Sequence, residues 1–185
     1  MKLKSLAAIV VAAGLALPAH ADEIEDTIAA ALEAYQAGDI KLAKEEIDFV
    51  AQLLGQLKAE GLKGFLPEAM DGWVRQDVEN QNVAAFGGGQ MASAQYTKDG
   101  EQVEIQLMAD NQMVTAMGAM FGNATLMGAM GTVKRINRQK LVVTNDGEVQ
   151  TLINNRIMVQ ITGSADVETK LAYFEALDMQ GLKDF

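Results

Sequence analysis

The chain has 185 residues, 15 basic against 25 acidic, with one histidine, no cysteine and 49% apolar residues, enough for one domain with a proper core and a small appendage. The acidic balance argues against nucleic acid as a partner and against adsorption to anionic membranes, both of which need basic patches. Without cysteine the chain has no disulfide, thiolate zinc site, redox dithiol or covalent haem link.

Lys2 and Lys4 precede an uninterrupted apolar stretch from Leu6 to Leu17, followed by Pro18 and the small-x-small tripeptide Ala19-His20-Ala21. This pattern predicts a secretory signal peptide over residues 1–21, cleaved after Ala21. An apolar run of about a dozen residues is too short for a bilayer that needs about 20. The expectation is a periplasmic protein with no membrane span after cleavage. Removing the leader leaves 13 basic and 25 acidic residues, a net charge of −12, and takes away His20, the one histidine. Ser-His-Asp and Cys-His catalysis then lack their essential groups. Carboxylate pairs such as Asp77 and Glu79 follow from so acidic a composition and nothing positions them in a pocket, so the chain reads as non-catalytic and without a cofactor.

From Ile24 to Tyr35 the apolar residues Ile24, Ile28, Ala31, Leu32 and Tyr35 recur at helical spacing, behind an acidic start that suits a helix dipole. Gly38 stops this helix and Asp39 caps the next. The second helix carries the heptad seam Ile40, Ala43, Ile47, Val50, Leu54 and Leu57, widened by Leu42, Phe49 and Leu53. Residues 22–60 are therefore expected to form an antiparallel helical hairpin, with homodimerisation through the seam as its functional alternative. Ala34-Tyr35-Gln36-Ala37-Gly38-Asp39-Ile40-Lys41-Leu42-Ala43 resembles the inter-helix stretch of a tetratricopeptide repeat. The resemblance covers about 25 residues once, whereas such arrays need about three units, so it implies a helical hairpin rather than a peptide-binding array.

Gly61, Gly64, Pro67 and Gly72 mark residues 61–72 as a linker, and residues 73–185 change in character. A first strand over 73–79 is followed by a turn at Gly87-Gly88-Gly89 and a hairpin through Asp99-Gly100, in which Val103, Ile105 and Leu107 alternate with Glu104 and Gln106. Further strands are predicted over 133–137, 139–145, 148–153 and 156–161, with turns at Asn145-Asp146-Gly147 and Asn154-Asn155. A closing helix starts near Asp166. The class is α+β: an antiparallel sheet of six or seven strands packed with two helices.

Two segments stand out as contact sites. Residues 111–133 hold no charged side chain over 23 positions, yet four glycines make them a poor membrane span. On one continuous helix Met113, Met117, Met120 and Met127 share a stripe, and a break near Gly122-Asn123 is expected. Such a stripe serves as core against the sheet, as a pliable surface for an apolar ligand or partner protein, or as a thioether copper(I) site. The second segment concentrates Lys134, Arg135, Arg138 and Lys140 in seven residues, either as an anionic docking patch or as guards of an exposed strand edge. The functional expectation is a periplasmic binding or interaction protein, with copper(I) binding at the methionines as the alternative.

Overall fold

The computed structural model describes residues 19–78 and 89–185. The expected leader lies outside them except for Ala19–Ala21, the first turn of the first helix, and of the triple-glycine turn only Gly89 is described.

Helix α1 (Ala19–Gln36) and helix α2 (Ile40–Lys63) form the N-terminal antiparallel hairpin. Gly38 supplies the left-handed turn at φ 81°, and the Asp39 carboxylate caps α2 by accepting from the Leu42 N–H at 3.0 Å. The buried stripes are narrower than the periodicity implies. Ile24, Thr27, Ala31 and Ala34 of α1, with Ala43 and Val50 of α2, are buried, whereas Ile28, Leu32, Tyr35, Ile40 and Ile47 are exposed. Two helices alone can seal only one stripe each, and three alanines in that stripe permit close approach, so the larger side chains fall on the flanks.

The chain divides into two compact units, with the boundary at Leu53/Leu54 inside α2. Gly61 does not end the helix. It continues to Lys63 because Leu62, fully buried in the core of the second unit, offsets the weak helix propensity of its neighbour.

The second unit is a seven-stranded sheet, antiparallel at every pairing, in the order β1-β2-β3-β7-β6-β5-β4. The strands are β1 (Val74–Val78), β2 (Gln90–Lys98), β3 (Glu101–Ala109), β4 (Gly131–Ile136), β5 (Gln139–Thr144), β6 (Val149–Ile153) and β7 (Ile157–Thr162). Asp99-Gly100 makes the two-residue β2–β3 turn at φ 50° and 87°, as Asp-Gly should. The class and strand number match the sequence reading. The two expected helices become four segments: α3 (Gln112–Gly122) and α4 (Ala124–Met130) between β3 and β4, then α5 (Val167–Glu175) and α6 (Met179–Asp184) after β7. Asp166 caps α5 through the Thr169 N–H at 2.7 Å, and the nearby Ser164 hydroxyl accepts from the Gln102 backbone N–H.

One face of the sheet forms the main core, where Tyr96, Ile105, Leu107, Ile153, Val159 and Ile161 pack with Leu62, Phe174 and Leu182. The opposite face is banded. Cross-strand register lines up Met91, Met108, Met158 and Leu152 in one apolar row, and Ser93, Gln106, Gln160 and Gln150 in the next, polar one. Helix α3 lies on the apolar row through Val114, Met117 and Phe121. It covers the band that needs cover and leaves the glutamines outside.

Candidate functional site

The site begins with the broken helix. Asn123 has extended geometry (φ −106°, ψ 112°), and its side-chain oxygen accepts from the Thr125 N–H at 2.9 Å and the Leu126 N–H at 3.2 Å. This local bonding competes with helix continuation and starts α4 in a new direction. Counting 100° per residue through Asn123 therefore fails, and the four methionines do not share one face. Met113 is 52% exposed, Met117 sits in the contact between α3 and the sheet, Met120 is half-buried, and Met127 is 2% exposed. The core role holds for Met117; Met127 has a different setting.

Helix α4 lies against β4 and β5. Gly131, where α4 passes into β4, lets β4 approach β5 closely, because a side chain at that position would run into the backbone of Val143 and Thr144 on β5. Between the helices and the β4–β5 ribbon lies a cleft of about 270 Å³ lined by Phe121, Met127, Leu152, Arg135, Arg138, Gln139 and Lys140. Phe121, Met127 and Leu152 supply the apolar part. Two segments that the sequence offered as separate candidates thus meet in one concavity.

The three cations arrive by local structure. Arg135 and Lys140 are directly paired across the ribbon, so they project to the same side. Arg138 occupies the two-residue turn with Asn137, at φ 65° and 49°. Gln139 anchors the ribbon to β6: its amide donates to the Thr151 hydroxyl at 2.9 Å and to the Leu152 carbonyl at 3.1 Å, and Thr151 in turn donates to the Lys140 carbonyl. Lys134 does not join the cleft. It pairs with the buried Leu141 and so points to the other side of β4, an edge strand, where a charge guards the open edge.

This turn breaks two local rules. An arginine in the left-handed region costs roughly 1–2 kcal/mol relative to glycine, and like charges directly opposite on a ribbon repel. Nothing in the described residues relieves either. The chain has four arginines: Arg75 is held by Asp77 and Arg156 by Asp110, both at 2.8–2.9 Å. Arg135 and Arg138, with Lys140, have no ion pair or side-chain hydrogen bond among the described residues. Unpaired, mutually repelling cations around an apolar floor are chemically suited to an anionic group that carries apolar surface.

Sequence reasoning missed Phe121, Gln139 and Leu152. The signal within reach was Asn137, a residue that readily takes positive φ, between two strand patterns. No family model, no curated protein and no solved structure matches this chain.

Proposed function

We propose that the chain is an exported, non-catalytic binding protein of the periplasm, and that its ligand is a small molecule joining a carboxylate or phosphate to a short apolar body. The observation that carries this reading is the cleft in which Arg135, Arg138 and Lys140, without a carboxylate partner among the described residues, surround Phe121, Met127 and Leu152. Strain kept at a turn where glycine would be easier is a mark of function, since backbone outliers persist where the side chain they place is needed. The volume is just below the roughly 300 Å³ at which drug-sized pockets begin, which favours a group of about ten heavy atoms. Location rests on the leader, and the absence of catalysis on the lack of histidine and cysteine in the mature chain.

Arg138→Gly separates binding from folding. Glycine relieves the left-handed turn, so the variant should be more stable by roughly 0.5–1 kcal/mol after allowing for the chain entropy glycine adds to the unfolded state. It should also bind octanoate or octyl phosphate about tenfold more weakly by calorimetry, because one charge-assisted bond is lost. Octanol and acetate each lack half of the recognition and should bind far more weakly than octanoate. Equal affinity of the parent and Arg138→Gly for octanoate would defeat the proposal.

A further inference from the structure

The hairpin leaves its larger apolar side chains outside its own seam, and their placement is ordered. With 3.6 residues per turn, Ile28, Leu32 and Tyr35 lie about 60–120° around α1 from its buried stripe, and Ile40 and Ile47 about 70–95° around α2 in the same rotational sense. In an antiparallel pair, equal senses of rotation bring both sets to one side. One side of the hairpin therefore carries Ile28, Leu32, Tyr35, Ile40 and Ile47, exposed between 47% and 64%. Leu42 and Phe49 lie in the opposite sense, on the other side.

We infer that this side is an interface with a second copy of the same chain, closing two hairpins into a four-helix bundle. Three observations select a second copy. The five side chains present on the order of 500 Å² of apolar surface, which matches the apolar share of the roughly 800 Å² that each partner gives a standard interface. Ile40 and Ile47 stand one heptad apart with Ala43 and Val50 between and after them, the repeat with which helices pack in bundles. The larger row, Ile28, Leu32 and Tyr35, is on α1 and the smaller, Ile40 and Ile47, on α2. A two-fold axis that sets α1 of one copy against α2 of the other therefore opposes larger to smaller in both halves, the self-complementarity of an isologous interface. Two helices cannot enclose a core, and four can. This inference does not depend on the cleft.

Sedimentation of the exported chain, residues 22–185, tests it. Twice the chain mass is expected at micromolar concentration, falling to one chain on dilution. Leu32→Glu and Ile47→Glu should each weaken association about a hundredfold or more, since the symmetry places two charges in every dimer interface. Phe49→Glu, on the other side, should leave the mass unchanged. All three positions are already exposed in the single chain, so helix content by circular dichroism should persist; if Ile47→Glu loses it, Ile28→Lys is read in its place. A single-chain mass at every concentration overturns the inference. So does a dimer that tolerates Leu32→Glu and Ile47→Glu, or one that Phe49→Glu dissociates equally well.

Discussion

Tyr96 is fully buried, and its hydroxyl donates to the Pro67 carbonyl at 2.6 Å. Burial pushes the phenol well above its ordinary value of 10.0, against the smaller opposing pull of Arg75. The fold thus holds the neutral form. Its contribution is complete below pH 10 and is lost as the pH rises further, because the unfolded chain ionises there while the folded one stays protonated. Tyr96→Phe should cost about 1 kcal/mol near neutrality, no more, since the Pro67 carbonyl keeps its bond from Arg75 at 3.1 Å. The variant should also show a shallower loss of stability above pH 10, which denaturant titrations on both sides of that value would measure. Asp110 has the opposite sign. A forked hydrogen bond from Arg156, at 2.9 and 3.1 Å, holds its carboxyl below the ordinary 3.8, so its contribution is present above that value and is lost as the pH falls through the lower folded one. The pair is solvent-exposed, and Asp110→Asn should remove less than about 1 kcal/mol at neutral pH while reducing the acid dependence.

At the scale of elements, the cleft depends on how α4 meets the sheet. Gly131→Ala should cost about 1–3 kcal/mol, because β4 must move off β5 to admit a methyl group, and the movement should weaken octanoate binding as well. Asn123→Ala should cost about 1 kcal/mol through the lost cap of α4. Thermal unfolding of both variants, with and without octanoate, checks this. These elements also show why parts of the chain were legible and others were not. The hairpins follow from nearest-neighbour chemistry: Asp99-Gly100 dictates its turn, Gly38-Asp39 ends one helix and starts the next, and the alternation of Val103, Ile105 and Leu107 sets a strand face. Each is decided within a few residues. The meeting of Phe121 and Leu152 with Met127, Arg135, Arg138 and Lys140 depends on α3 crossing the apolar row of the sheet, a row completed by a β3–β7 pairing between strands about 50 residues apart in sequence. No local pattern carries that. The hairpin seam was misassigned for a related reason: periodicity shows that Ile40 and Ala43 are on one broad apolar surface, but only the close approach of α1 decides that Ala43 is inside and Ile40 outside.

For the molecule as a whole, the cleft is a cationic site on a strongly acidic protein, with a net charge of −10 over the full sequence. Two electrostatic effects then oppose each other. Contacts between a bound anion and Arg135, Arg138 and Lys140 act within a few ångströms and are weakened little by modest salt, whereas repulsion from carboxylates spread over the rest of the surface acts over longer distances. The Debye length falls from about 30 Å at 0.01 M salt to about 10 Å at 0.1 M, so the first increments of salt remove mainly the distant repulsion. Affinity for octanoate should therefore hold level or rise between those two concentrations, and fall only as the screening length approaches about 3 Å near 1 M. A net-basic binding protein would instead lose affinity steadily from the lowest salt upward. In Arg138→Gly the fall at high salt should be shallower, since fewer close charges remain to be screened, while the level or rising segment at low salt should persist because the rest of the acidic surface is unchanged. Calorimetric titrations of parent and variant across that range give the two segments separately, and a steady fall from the lowest salt in the parent would show that the cleft does not bind the anion against the field of the whole protein.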